Sequence, residues 1–307
     1  MRIYQHWQGL APDARGASIA MGNFDGVHIG HRSVIDLARD HGPLGIVTFE
    51  PHPREFFAPD APPFRLMNAE ARANRLAKLG VQHLYQLPFD ATMAALTPED
   101  FAAQVLADGL GVSHVVVGAD FCFGRGRKGR VADLQALGAK HGFGVTIAPL
   151  VTTNGVEISS TAIRQALTDG RPRDAKTMLG HWHRIEGEVI HGEKRGRDLG
   201  FPTANMSVAN LHLPRLGVYA VKVDVLTGPQ AGTYNGAASI GVRPMFGVNT
   251  PNLETYILDF KGDLYGHHLS IAFIDYLRPE LKFDGLPALI AQMNADCAHA
   301  RDILATV

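Results

Sequence analysis

Hydrophobic and polar positions follow two different patterns along the chain. Up to about residue 149, short apolar runs alternate with segments whose apolar residues recur at helical spacing. That alternation is typical of a parallel sheet whose strands are joined by helical crossovers. The predicted strands are 17–21, 44–49, 83–87, 114–118 and 144–148, and the predicted helices are 32–39, 69–79, 98–106 and 131–141.

From about residue 185 the pattern changes to short alternating runs separated by Gly and Pro turns. The clearest runs are 217–225, 255–260 and 269–274, and they indicate an antiparallel barrel or sandwich. A helix is predicted over 286–304, with 168–173 as a loop and 174–179 as a short linking helix. A length of 307 residues suits two domains, so the sequence predicts an α/β domain over 1–182 and an antiparallel β domain over 183–307.

Composition narrows the class of partner. Charged residues make up 19% of the chain and the net charge is −1, so no basic field favours nucleic acid or an acidic membrane surface. Cys122 and Cys297 are the only cysteines, which is too few for a disulfide framework or a metal spacing. The first residues lack an apolar signal region and no run is long enough to span a bilayer. A cytoplasmic protein is expected, with no nucleic acid or membrane partner; weak self-association is left open.

The turn between the first predicted strand and helix has the composition of an anion-binding site. It contains Gly22, Phe24, Asp25, His28 and His31. A helix start offers free backbone N–H groups to a phosphate, and two imidazoles add donors for charge that builds during its transfer. The alternative is a tight turn capped by histidine, but a cap requires neither the second His nor the Phe-Asp-Gly.

Two further segments follow predicted strands, at the edge where open α/β sheets bind ligands. One contains His52 and Pro53, and the other contains Asp120, Phe121 and Phe123. Asp120 can accept hydrogen bonds from a ribose or adenine, and the aromatic rings can line a pocket. Alone, the first segment is better explained as a Pro-stiffened loop, and at least one Phe is expected in the core.

Three hydroxyl residues precede the next predicted helix. Ser159, Ser160 and Thr161 can cap it and bind anions, and Arg164, one turn further, can reach a triphosphate with its planar guanidinium. A Ser-rich cap alone is common, whereas its position behind two closely spaced His residues favours phosphate binding.

The second pattern contains a Gly-rich segment with oxygen ligands. Gly192, Gly200 and Pro202 shape a loop that lets backbone amides approach phosphates, and Thr203 and Asn205 offer neutral oxygens to Mg²⁺. The alternative is an ordinary β-turn with Pro202 as its fixed corner.

These motifs carry a resemblance to a known family. Residues 22–31 resemble the Gly-x-Phe-Asp-Gly-Val-His-x-Gly-His signature of the adenylyltransferase half of prokaryotic bifunctional riboflavin kinase/FAD synthetases, and 158–164 resemble its second phosphate signature. Gly-Phe-Pro-Thr-Ala-Asn at 200–205 resembles the riboflavin kinase signature, with further matches at 217–220, 240–244 and 253–260. The resemblance covers about residues 15 to 305.

The resemblance implies a Rossmann-like nucleotidyltransferase domain with a parallel sheet and a riboflavin kinase barrel with a terminal helix. It implies ATP as co-substrate with Mg²⁺, and riboflavin, FMN and FAD as substrates and products. Glu254 is implied as general base of the kinase, and His28 and His31 as catalytic donors of the adenylyltransferase. The remaining roles are ATP and phosphate binding by Gly22, Phe24, Asp25, Ser159, Ser160, Thr161 and Arg164; flavin or nucleotide binding by His52, Pro53, Asp120 and Phe121; kinase nucleotide binding by Gly192, Gly200, Pro202, Thr203 and Asn205; and Mg²⁺ binding by Thr203 and Asn205.

One position departs from the family pattern, and two other function classes stay open. Met245 stands where the family often has a threonine, so no role is assigned there. One alternative is a nucleotidyltransferase for another phosphate ester, with the barrel as a flavin-binding or regulatory module. The other is a flavin carrier that consumes no ATP. Without the resemblance, Glu254 is best interpreted as an exposed strand residue in a cross-strand pair.

Overall fold

The computed structural model describes residues 1–153, 156–192, 196, 199–245 and 248–307. Packing divides the chain into two compact units. The first comprises Met1–Pro62 and Arg72–Ser159, and the second comprises Pro63–Ala71 and Ser160–Val307. This division follows contacts between residues, so the sequence-based boundary between 182 and 183 remains a prediction about where one function ends and the other begins.

The first unit is built on a six-stranded sheet in which each neighbouring pair is parallel, in the order β1-β4-β3-β2-β5-β8. Because β2 is flanked by β3 and β5, the loops that follow these three strands lie side by side at the carboxyl edge. The strands of this unit are β1 Arg2–Tyr4, β2 Ser18–Met21, β3 Leu44–Glu50, β4 His83–Pro88, β5 His114–Gly118, β6 Cys122–Phe123, β7 Gly129–Arg130, β8 Gly144–Ala148, β9 Thr152–Thr153 and β10 Val156–Glu157.

Helices pack on this sheet, which confirms the predicted α/β pattern. The predicted helix over 98–106 differs, because an α-helical turn continues into a π-helix, Phe101–Leu110, that ends at Gly111 with a φ of 56°. In the described part of the chain, no helix combines the length and apolar composition needed to cross a membrane. The α-helices before the barrel are α1 Ile29–Ala38, α2 Pro53–Phe57, α3 Ala69–Lys78, α4 Ala91–Ala95, α5 Pro98–Asp100, α6 Val131–His141, α7 Ser160–Thr168 and α8 Pro172–Leu179.

The second unit contains a six-stranded antiparallel sheet in the order β11-β16-β13-β14-β15-β12. The backbone N–H of Ile190, just after β11, donates to the carbonyl of Asn205 in β12 at 2.9 Å, so the two end strands meet in a nearly closed barrel. The predicted strand over 255–260 begins earlier and ends at Ile257. The elements are β11 Arg184–Glu188, β12 Thr203–Ser207, β13 Gly217–Val225, β14 Gly232–Met245, β15 Val248–Ile257, β16 His268–Arg278 and the terminal helix α9 Leu286–Leu304.

Alternation along the strands separates the barrel interior from its outer face. The interior is filled by large aliphatic and aromatic side chains, among them Val221 and Phe273. On the outer face, small side chains form a flat patch against which α9 packs through Ala300 and Leu304. The patch residues are Ala220, Ala237 and Ala272. Small residues on the strands let the helix approach closely, and this places α9 beside β14.

Thr255 is a polar residue inside the barrel. Its register partners are Ala204 and Ala238, it is fully buried, and its hydroxyl has no hydrogen-bond partner within the described residues. Valine has the same shape without the hydroxyl, so Thr255→Val is expected to raise the free energy of unfolding by about 1 kcal/mol. Urea denaturation measures this, and unchanged or lowered stability would contradict the interpretation. Thr233→Val is the matched control, because that hydroxyl is exposed and donates to Asp224 at 2.8 Å.

His183 makes the second unit sensitive to acid. It is buried against Phe273, and burial, followed by the charges of His181 and His212, lowers the pKa of His183 to about 3. The unfolded chain takes up this proton below about pH 6.5, whereas the folded chain remains neutral down to about 3. The unfolded state therefore binds more protons, and stability falls as pH drops through this window by up to about 1.4 kcal/mol per pH unit.

The expected result is that His183→Leu flattens the dependence of the free energy of unfolding on pH between 6.5 and 4. Denaturant titrations at several pH values measure the slope. His299→Leu, which removes an exposed imidazole, serves as control. Equal slopes for the original protein and the His183 variant would show that the buried ring is not the titrating group.

Candidate active sites

The turn between β2 and α1 holds the first candidate site. His28 is the N-cap of α1: its Nδ1 accepts from the backbone N–H of His31 at 3.2 Å, and the Nδ1 of His31 accepts from the N–H of His28 at 3.3 Å. The two rings stack with centroids 3.6 Å apart and planes 17° from parallel. The pair is thus a reciprocal helix cap built from imidazoles, so the second His takes part in the cap and the sequence-based argument against a capping role was wrong on that point.

This cap fixes the tautomer of both histidines. Because each Nδ1 accepts a hydrogen bond, the ring proton of a neutral imidazole must sit on Nε2. Burial, followed by the charge of His28, lowers the pKa of His31 well below its usual value, so His31 is neutral at pH 7. Each ring therefore has an Nε2–H donor directed away from the helix backbone, as phosphate recognition requires.

The backbone of the turn is strained around these rings. Phe24 and Val27 adopt φ values of 53° and 42°, in the left-handed region that bulky side chains avoid. The Phe24 ring is buried with its centroid 5.2 Å from that of His31. A Cβ at Gly30 would lie 3.1 Å from the His28 ring, so glycine leaves room for it. The glycine-rich sequence is needed to hold the stacked pair.

The loops after β3 and β5 supply the other predicted residues of this unit. His52 caps α2, with its Nδ1 accepting from the N–H of Arg54 at 3.0 Å, and Pro53 is the first helical residue. Asp120 is exposed in the turn after β5. Phe121 is half-buried and stacks on Phe123, which lies in the core, as expected for at least one of the two.

Arg72 is a residue that the sequence analysis missed. Its side chain is 3% exposed; it pairs with Glu50 at 2.9 Å and donates to the carbonyl of Asn23 at 3.4 Å. It therefore ties the end of β3 to the turn that precedes His28. Nothing in its local sequence distinguishes it from the solvated arginines of a polar helix, and only the fold reveals its burial.

The second predicted phosphate segment falls at the division between the two units. Ser159 ends the first unit and Ser160 begins the second and starts α7, so Ser160 and Thr161 lie in the helix and only Ser159 precedes it. Arg164 lies one turn into α7 and donates to the carbonyl of Phe64 at 3.2 Å. The phosphate-binding roles of these residues remain predictions.

The second candidate site is a cavity of about 790 Å³ in the barrel unit. Its wall is formed by outward-facing residues of β12, β14 and β15 on one side and by the first half of α9 on the other. The helix contributes Leu289, Met293 and Cys297. Burial raises the pKa of the Cys297 thiol, so it is an uncharged part of this wall.

Three of the predicted kinase residues meet in this cavity. Asn205 of β12 pairs in register with Glu254 of β15, and Thr203 lies on the same face as Asn205. A Cβ at Gly192 would lie 2.6 Å from the Asn205 amide, so a larger residue there would displace that side chain. Glu254 thus lies on the outer face of the barrel, in the cavity that α9 also lines.

The remaining kinase residues lie in the loop before β12 and at the end of β14. Gly200 has a φ of 84°, and Pro202 follows the buried Phe201. Met245 is the last residue of β14, and residues 246 and 247 of the same motif lie outside the described part of the chain. The loop from Gly200 therefore leads directly into the strand that presents Thr203 and Asn205.

A parallel sheet with two imidazoles at a helix start, and a barrel with a carboxylate in a cavity, are the arrangement expected of an enzyme with two phosphate-transfer sites. Two family models match the chain in the same order: FAD synthetase over residues 10–162 and riboflavin kinase over 179–304. The chain belongs to the family of bifunctional riboflavin kinase/FMN adenylyltransferases.

Relatives with that name match almost the whole chain. The protein from Pseudomonas fluorescens is 40% identical, with 99% of this chain and 98% of the relative covered. The protein from Bacillus subtilis is 37% identical, with 96% and 95% covered. A crystal structure of a Streptococcus pneumoniae protein described as a macrolide-efflux protein has a TM-score of 0.82 and 31% identity, with 98% of both chains covered. That structure has the same fold.

Proposed function

We propose that the chain phosphorylates riboflavin to FMN in the barrel unit and adenylylates FMN to FAD in the unit with the parallel sheet, using ATP in both steps. One observation supports the proposal above the others: two sites of different chemistry lie in one chain. The first presents neutral Nε2–H donors at a helix start, and the second presents a carboxylate in a cavity large enough for a cofactor-sized ligand.

In the adenylyltransferase step, a phosphate oxygen of FMN bonds to the α-phosphorus of ATP. The bond from that phosphorus to the α,β-bridging oxygen breaks, and pyrophosphate leaves. The Nε2–H groups of His28 and His31 stabilise the charge that builds on the phosphate oxygens, a task that requires positioning rather than a covalent intermediate. Ser159, Ser160, Thr161 and Arg164 are proposed as further phosphate ligands, and His52, Pro53, Asp120 and Phe121 as contacts of the flavin or nucleotide.

In the kinase step, Glu254 accepts the proton of the riboflavin 5′-hydroxyl while the hydroxyl oxygen bonds to the γ-phosphorus of ATP. The bond from that phosphorus to the β,γ-bridging oxygen breaks, and ADP leaves. Gly192, Gly200 and Pro202 shape the loop that is proposed to hold the nucleotide.

The residues of the barrel cavity fit Mg²⁺. Thr203 and Asn205 offer neutral oxygens on one face of β12. Within the described residues there is no cluster of three His, Cys, Asp or Glu that would favour a transition metal. Mg²⁺ typically takes one or two protein oxygens together with phosphates, and when bound it neutralises phosphate charge.

The proposed location is the cytoplasm, where ATP is available and both thiols remain reduced. Cys122 and Cys297 are free thiols, and a reducing compartment keeps thiols in that state. Riboflavin, FMN, FAD and ATP are the proposed ligands.

A time course of products tests the proposal. The full chain is mixed with riboflavin, ATP and Mg²⁺, and the flavins are separated by chromatography. FMN that appears first and then gives way to FAD supports both activities. FMN alone would contradict the adenylyltransferase half and direct a search to other phosphate esters. Unchanged riboflavin would contradict the kinase half, and a second sample supplied with FMN then tests the other half separately.

A further inference from the structure

Asn252 is a polar residue beside the barrel cavity that lies outside the motifs identified in the sequence. It is on β15 two residues before Glu254, so both side chains point to the same outer face. On the neighbouring strand, Ser207 pairs with Asn252 and Asn205 pairs with Glu254. Asn252 is half-buried, and its side chain extends toward the next pair along the strands.

The amide of Asn252 reaches both functional side chains of that pair. Its Nδ2 donates to Oδ1 of Asn205 at 2.9 Å and lies 3.4 Å from Oε1 of Glu254, close to the limit of a hydrogen bond. The Nδ2 of Asn205 donates to the carbonyl of Thr203 at 3.2 Å. This contact orients the Asn205 amide so that its oxygen, not its nitrogen, faces Asn252. One NH₂ group has two hydrogens, so it can serve both acceptors at once.

We propose that Asn252 is a positioning residue for phosphoryl transfer, which holds the Asn205 oxygen and the Glu254 carboxylate in one geometry. The inference rests on the proposed kinase function of the cavity. A carboxylate on a strand can rotate about its side-chain bonds, and a misplacement of about 1 Å can cost about 10²-fold in rate. A hydrogen bond donated to an oxygen that ligates a metal likewise fixes the orientation of that oxygen.

Two substitutions in the full chain separate hydrogen-bond donation from packing. Asn252→Ala removes the amide, and Asn252→Asp keeps its shape but has no N–H donor. Both are expected to lower kcat for riboflavin phosphorylation by about 10–100-fold at saturating Mg-ATP. The KM for riboflavin and the rate of FMN adenylylation stay unchanged. The exposed Asn235 of β14 gives the matched control, because Asn235→Asp adds the same charge away from the cavity.

Wild-type kcat in the Asn252→Asp variant would overturn the inference, because shape alone would then suffice. A raised KM for riboflavin with unchanged kcat would also overturn it. Failure of the unsubstituted protein to phosphorylate riboflavin overturns the proposed function and the inference with it. An active protein whose N252A and N252D variants are equally active overturns the inference alone.

A binding measurement tests the connection through Asn205 without turnover. Calorimetric titration with ADP and Mg²⁺ is expected to show about 10-fold weaker binding for N252A. In a protein that already carries Asn205→Ala, adding Asn252→Ala is expected to weaken binding almost no further, because the Asn205 oxygen that Asn252 positions is absent. An equal loss in both backgrounds, or no loss in the original protein, would overturn the inference.

Discussion

Replacing Glu254 by alanine is expected to lower kcat for riboflavin phosphorylation by about 10²–10⁴-fold while FMN-to-FAD conversion continues at its original rate. The carboxylate is the proposed acceptor of the hydroxyl proton, and it lies in the barrel cavity opposite Asn205. Glu254→Gln is expected to be as inactive, because an amide of the same shape cannot take the proton. Separate assays that start from riboflavin and from FMN measure the two activities.

The matched control for this prediction is Glu188→Gln, which changes an exposed carboxylate at the end of β11. It is expected to retain both activities. If Glu254→Gln keeps most of the kinase activity, the carboxylate is not the general base. If either Glu254 variant loses both activities with its unfolding transition intact, the two sites do not act independently.

The reverse result is expected at the helix cap. His28→Ala should lower FMN adenylylation by about 10²–10³-fold, because it removes an Nε2–H donor from the charge that develops in the transition state. Riboflavin phosphorylation should continue, so the reaction started from riboflavin stops at FMN. Chromatographic separation of FMN and FAD over time measures the block directly.

His28→Ala also removes the N-cap of α1, so a second variant is needed to separate the two effects. Asparagine is a favoured N-cap residue and keeps an acceptor for the N–H of His31, but it lacks the imidazole donor. His28→Asn should therefore restore stability without restoring adenylylation. The exposed His6 is the control position. Adenylylation near the original rate in His28→Asn would show that the imidazole is needed only as a cap.

Local signals in the sequence were sufficient for most of the fold. The strands 114–118 and 144–148 and the helices 131–141 and 286–304 have the predicted limits. The helix Val131–His141 begins at a cap in which Asp133 accepts from the N–H of Arg130, and it ends at Gly142 with a left-handed φ of 84°. Both signals are local, so they can be recognised without the tertiary structure.

Features that depend on distant partners could not be predicted. The strand Arg2–Tyr4 has only three residues and is defined by pairing with β4, which begins at His83. The apolar residues of the π-helix Phe101–Leu110 recur at a spacing that also fits an α-helix. That spacing therefore does not reveal the different hydrogen-bond pattern of a π-helix. Closure of the barrel through Ile190 and Asn205 is likewise a long-range contact.

The candidate sites show the same limit. His28 and Asn205 were proposed from the composition of their motifs, whereas Glu254 was proposed only through the family resemblance. Arg72 and Asn252 belong to no motif, and their importance comes from burial and from hydrogen bonds across the fold. Residues that contact and position site residues without belonging to a motif therefore cannot be identified from a single sequence.

The segment Pro63–Ala71 packs within the barrel unit although it precedes most of the parallel-sheet unit in the chain. Leu66 lies in a cluster with Ile163 and Leu179, and the side chain of Asn68 donates to the carbonyl of Glu186 at 2.9 Å. A gene split at codon 183 would place Leu66, Ile163 and Leu179 in one product and Glu186 in the other, so the hydrogen bond from Asn68 would have to form between two chains. The packing units are interleaved along the chain, so no single cut in the gene reproduces them.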